Sequence, residues 1–242
     1  MTALHIGCSG WAYRDWTGPF YPKGTRSKDL LAFYASQFDT TEINASFYRL
    51  PSAKAVETWA VQTPDGFCFA WKVSRYITHN RRLSDCEESV DLVFRRMSLL
   101  GDKRGPALVQ TPPSLRRDDA RLARFLAMTP KGRWVFEFRH PSWYERPVLD
   151  LLAEHDAALC ISDHHHAPAP WETTASFVYV RGHGPGGRYK GRYPAAVLDD
   201  WARRIAAWRR EGKDVYAYFD NDIKSAAPAD AALLRERLEK PG

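Results

Sequence analysis

The sequence predicts an α/β fold, a single TIM-type (β/α)8-like barrel over residues 1–242, and three observations carry that expectation. Short apolar runs alternate with amphipathic stretches from one end of the chain to the other, the runs number eight, and 242 residues is close to what one such barrel uses. An open doubly wound sheet accepts the same alternation, but strand count and length favour closure.

The first run, Leu4–Cys8, is followed by a helical stretch from Ser27 to Gln37 that carries Leu30, Leu31 and Tyr34, with Phe38 just beyond. Further strands are expected at Thr40–Asn44, Phe67–Lys72, Ala107–Gln110, Trp134–Phe138, Ala158–Ser162, Phe177–Arg181 and Val215–Tyr218. Ser84 and Glu87 have the spacing of a capping box ahead of an apolar stripe, Val90, Val93, Phe94, Met97 and Leu100. Leu198, Trp201, Ile205 and Trp208 make another stripe, closed by Gly212, and Ala229–Lys240 reads as a final helix. The segment from His164 to Thr174 is rich in Pro and His, so a loop is expected there and the barrel should be irregular around its sixth crossover.

With 44% hydrophobic and 13% aromatic residues, the chain can bury a large core without disulfides or structural metal. Cys8, Cys68, Cys86 and Cys160 are scattered, form no CxxC pair and read as reduced, mostly core residues. The N-terminal MTALHIGCSGW lacks a basic segment followed by a long apolar run, and no window approaches eighteen uninterrupted apolar residues. The expectation is a cytoplasmic protein with no membrane contact. A formal charge of +6 favours anionic partners, among them small phosphorylated ligands and nucleic acid.

Ligands of such folds bind at the C-terminal ends of the strands, so polar residues collected there mark a site. Period-two alternation puts Glu42 and Asn44 on one face of the second strand and Lys72 on the face shared by Cys68 and Ala70. In the fifth strand Trp134, Phe136 and Phe138 point to helices, leaving Glu137 and Arg139 to the interior. Gln110, Asp163, Arg181 with His183, and Asn221 with Asp222 follow the fourth, sixth, seventh and eighth strands. Several charges in a barrel interior are costly unless they neutralise one another or serve a ligand. Glu137, Lys72, Glu42 and Asp163 are therefore the catalytic candidates. Asn44, Tyr48, Gln110, Arg139, His140, Arg181, His183, Arg188, Asn221 and Trp11 are the substrate-binding candidates. Aromatic loops offer flat faces for sugars or nucleobases.

The segment RGHGPGGRYKGRY, Arg181–Tyr193, brings five glycines together with Arg181, Arg188, Lys190 and Arg192, and it follows the seventh strand, where barrels often hold phosphate. His164, His165 and His166 are adjacent in an extended loop and point different ways, so no metal site is assigned; the cofactor is left open.

In order along the chain, IGCSGWAYRDWTGPFYP, EINASFYRLP, FAWKVSRYITHNRRL, VQTPPS, FEFRHPSW, DHHHAPAPW, YVRGHGPGGRYKGRY and YFDND resemble the DUF72 (YecE-like) family. The resemblance covers essentially the whole chain and implies a TIM-type barrel; the family name itself records an unknown function. From the residues, the expected activity is that of an enzyme, such as a hydrolase, acting on a phosphorylated or sugar-containing substrate, with Glu137 and Lys72 as acid/base groups. Alternatives are a non-catalytic nucleic-acid-binding protein, a phosphodiester-cleaving nuclease, and a scaffold whose mouth is closed by ion pairs.

Overall fold

In a computed structural model describing residues 2–239, eight parallel strands close into one barrel, each paired with its neighbours in sequence order. The strands are β1 (Leu4–Ser9), β2 (Thr40–Ile43), β3 (Cys68–Lys72), β4 (Arg104–Gln110), β5 (Trp134–Glu137), β6 (Ala158–Ser162), β7 (Phe177–Gly182) and β8 (Asp214–Phe219). Closure is the β1–β8 pairing, in register from Leu4 with Val215 to Cys8 with Phe219. The open sheet is thereby excluded. No helix among the described residues is long and apolar enough to cross a membrane.

Alternation sorts the strand residues into two environments. Cys68, Ala70, Leu108, Val135, Ala158, Cys160, Phe177, Tyr179, Tyr216 and Tyr218 fill the barrel interior, whereas outward residues such as Ile43, Trp71, Val109, Phe136 and Val180 join the larger core beneath the helices. Tyr34, from helix α1 (Leu30–Gln37), inserts its hydroxyl between β1 and β2, accepting from the Cys8 N–H at 2.8 Å and donating to the Thr40 carbonyl at 3.0 Å. Gly7 has no Cβ because one would collide with both that hydroxyl and the Thr40 carbonyl.

Three local expectations are corrected. β4 begins at Arg104 instead of Ala107, with a register shift against β3 between Phe69 and Trp71; Gly105 and Pro106 hide the strand from propensity and accompany the bulge. The Ser84/Glu87 capping box does not form. Positive φ at Arg82, Leu83 and Asp85 turns the chain, helix α2 (Glu87–Met97) takes Cys86 as its N-cap, and Ser84 lies outside it. The residues before Leu30 form a separate 3-10 turn, Ser27–Asp29.

The sixth crossover is helix-free, as expected: no helix lies between β6 and β7. The final helix, α3, runs Ala226–Glu239, and its expected last residue, Lys240, lies outside the described residues.

Candidate active site

At the C-terminal end the apolar filling gives way to one polar side chain per strand: Ser9, Glu42, Lys72, Gln110, Glu137, Ser162, Arg181 and, just past β8, Asp220. Arg181 is the hub and is fully buried. Its Nη2 donates to Ser9 Oγ at 2.9 Å, Glu42 Oε1 at 2.7 Å and Asp220 Oδ2 at 2.9 Å, while Nη1 donates to Glu137 Oε2 at 2.9 Å. A guanidinium suits this place because its planar fork reaches several carboxylates and keeps its charge at every accessible pH.

Glu137 is equally enclosed. Gln110 Nε2 donates to Oε2 at 2.8 Å, Ser162 Oγ to Oε1 at 3.0 Å, and Arg139 Nη2 lies 2.7 Å from Oε1. Burial alone would raise this carboxyl, but Arg139 and Arg181 foremost outweigh it and hold the group well below the usual carboxylate range. Glu42 accepts from Ser9 Oγ and, at 2.6 Å, from Tyr179 Oη. Both glutamates are thus spent as acceptors.

His183 Nε2 faces Arg139 Nη2 at 3.1 Å and Arg181 Nη1 at 3.2 Å, which directs the ring proton to Nδ1, 3.2 Å from Asp163 Oδ1. Asp163 also receives the His183 N–H at 2.7 Å and the Tyr193 hydroxyl. The expected residues Glu42, Lys72, Gln110, Glu137, Arg139, Asp163, Arg181 and His183 therefore share one end of the barrel, joined by Asn44, whose Nδ2 donates to Ser9 Oγ at 2.8 Å.

Other expected binding residues stand apart. Trp11 packs edge-on against Trp59 and Phe69, and Tyr48 is 79% exposed. His140 Nδ1 accepts from the Ser142 N–H at 3.2 Å and caps a short turn. Asn221 ties the loop after β7 to helix α3, donating to the Gly191 carbonyl at 2.7 Å and Asp230 Oδ2 at 2.8 Å.

The glycine-rich loop is not the open cation cradle its sequence suggests. Arg181 belongs to the buried cluster and Arg192 pairs with Asp230 at 2.6 Å, leaving Arg188 and Lys190 exposed. The N–H groups of Gly184, Gly187 and Tyr189 are bonded within the loop. Gly187, at φ 68°, sits so tightly against the Asp163 carbonyl and His165 N–H that a Cβ would clash with both.

Period-two reasoning passes over Asp220, although it continues the interior line of Tyr216 and Tyr218. It also passes over the hydroxyls of Ser9 and Ser162, which carry no charge signal.

Lys72 differs from every other charge in the mouth. It is half-buried, its Nζ lies 4.2 Å from the Phe47 ring centroid, and no carboxylate pairs with it among the described residues. Burial, then the nearby Arg181, lowers it from the ordinary 10.5 to about 8, against the pull of Glu137, Asp220 and Glu42. An unfolded chain then holds this proton more tightly than the folded one between those values, so the lysine costs stability below pH 8 and wild-type stability rises from there toward pH 10.5. Lys72→Met is expected to stabilise the protein at pH 7 by on the order of 1–2 kcal/mol, partial exposure trimming the full effect. Thermal unfolding at neutral and alkaline pH checks it: the gain should shrink as pH rises, and a destabilised variant at pH 7 would refute the assignment.

Residues 5–242 match the family model described as "Protein of unknown function DUF72". The chain belongs to the DUF72 family. This DUF72 chain is 26% identical to UPF0759 protein YunF of Bacillus subtilis (strain 168), covering 98% of the chain and 95% of that relative. It is 30% identical to UPF0759 protein YecE of Escherichia coli (strain K12) over 59% of the chain and 51% of that relative. A DUF72 family crystal structure from Thermotoga maritima MSB8 superposes with a TM-score of 0.90 at 24% identity, covering 98% of this chain and 100% of that one, so the DUF72 fold is shared.

Proposed function

We propose that the barrel mouth is the active site of an enzyme for a small phosphorylated or sugar-containing substrate, with Lys72 as the group that meets the anion and exchanges a proton with it. The observation that carries this reading is the unpaired Lys72 ammonium beside a network whose other cations already have carboxylate partners. A ligand anion would complete the pairing. An amine near pH 8 can also give or take a proton under physiological conditions. Glu42 and Glu137 then serve as anchors for Arg181 and Arg139, and hydrolysis of a phosphoester is one reaction such a mouth could support. Four free, buried cysteines favour a cytoplasmic setting.

Calorimetric titration with inorganic phosphate and a panel of sugar phosphates tests the reading. Binding should be saturable and weakened at least about tenfold in Lys72→Met, the loss of one charge-assisted contact. Equal binding by the variant would refute it.

A second reading, single-stranded nucleic acid at the rim, is favoured by three exposed tyrosines next to exposed cations: Tyr48 with Arg49, Tyr76 with Arg75, and Tyr189 with Arg188 and Lys190. An oligonucleotide in the same titration decides between them. Binding that falls steeply with salt and ignores Lys72→Met would favour the rim.

A further inference from the structure

We infer that the corner of the mouth between β1, β2 and β8 is a hydroxyl-recognising subsite, in which Asp222 gives a hydrogen bond to a ligand hydroxyl and Asn44 Oδ1 receives one from it. This rests on the reading of the mouth as an anion-binding active site and narrows its ligand to a hydroxylated phosphate, a sugar or polyol phosphate.

Two buried atoms in that corner, Asn44 Oδ1 and Asp222 Oδ1, have no hydrogen-bond partner, and both residues lie beside the Tyr13 hydroxyl. The Asn44 amide is oriented by its own N–H groups, since Nδ2 donates to Ser9 O at 3.2 Å and Ser9 Oγ at 2.8 Å. Its oxygen is therefore fixed as a spare acceptor. The Tyr13 hydroxyl gives its hydrogen bond to the Ser9 carbonyl, although it also lies close enough to Asp222 to act on that carboxyl.

Asp222 is held at its backbone, whose carbonyl accepts from Trp16 Nε1 at 3.1 Å. No Lys or Arg pairs with its carboxyl among the described residues, and Arg181, a cation that acts on it, is committed to Glu42, Glu137 and Asp220. The groups facing it are Asp220 just past β8, Tyr13 and Cys8 from β1 and its loop, Glu42 from β2 and Arg181 from β7. Burial, then Asp220, pushes the carboxyl up to about 9 against Tyr13 and Arg181, so at pH 7 it keeps its proton and acts as a donor.

A donor beside a spare acceptor selects the group that fits both. Phosphate and carboxylate oxygens ionised at pH 7 only accept, and an ammonium only donates. A hydroxyl does both. Lys72, reaching into the same mouth from β3, takes the anionic end.

Two measurements test the inference. The infrared carbonyl band of a protonated carboxylic acid should be present in the ligand-free protein at pH 7 and missing from Asp222→Asn; identical spectra would overturn it whatever binds. In calorimetry, wild type should bind the best of a panel of pentose and hexose phosphates at least about tenfold tighter than inorganic phosphate, one good hydrogen-bond pair's worth. Asp222→Leu should erase that margin and leave phosphate binding unchanged, while Asp222→Asn, still a donor, keeps most of it. The margin should also shrink above about pH 9 in wild type and not in Asp222→Asn, phosphate serving as the control for Lys72 titration. Phosphate binding with no margin would overturn the hydroxyl subsite and spare the active-site reading. Failure of every phosphate to bind would overturn both.

Discussion

Glu137→Gln is expected to cost about 3–5 kcal/mol at pH 7, because it removes the anion between two buried guanidiniums while changing the side-chain volume very little. For a chain of this size that is a fall of roughly 10 °C in the unfolding midpoint. The pH dependence adds a signature. The folded carboxyl lies well below its unfolded value of 4.5, so its contribution is fully present above that value and is lost as pH falls below it toward the folded pKa. Wild type should therefore lose stability on acidification in that window, and the variant should lose less. A variant as stable as wild type at pH 7 would show that Glu137 is no counter-ion and restore it as a catalytic candidate.

Arg181→Met should be worse, since Glu42, Glu137 and Asp220 are left facing one another around an apolar side chain. Arg139 and Lys72 compensate only part of that charge. A loss at the upper end of about 3–5 kcal/mol, or failure to accumulate folded protein, is the expected result at pH 7. The sign of its pH dependence should invert: crowded buried carboxylates have raised folded pKa values, so the native state binds more protons and the variant gains stability as pH falls toward 5. Denaturant unfolding at pH 7 and pH 5 reads this directly. A variant that weakens on acidification in parallel with wild type would contradict the hub role of Arg181.

The barrel was legible because eight apolar runs with period-two alternation each imply one inward face, and the same alternation correctly sent Glu42, Lys72, Glu137 and Arg181 to one end. Sequence does not show how much of a polar group's bonding capacity is already used. Glu137 and Lys72 look equivalent as interior charges, yet one receives several donors and the other has no carboxylate partner. The loop after β7 shows the same limit. Composition counts Arg192 as an available cation, whereas Asp230, 38 residues further along the chain, holds it. Nor does sequence show that the Asn221 amide N–H groups go to Gly191 and Asp230 and that His140 Nδ1 accepts from the Ser142 N–H.

The seat of Gly187 against Asp163 and His165 has a mechanical meaning as well. The segments after β6 and β7 meet there backbone to backbone, and the hydrogen bond from the Tyr193 hydroxyl to Asp163 joins them a second time. With no helix between those two strands, the segments that follow them support each other directly. A side chain introduced at Gly187 would therefore displace the backbone that seats Asp163 and His165 on the neighbouring segment.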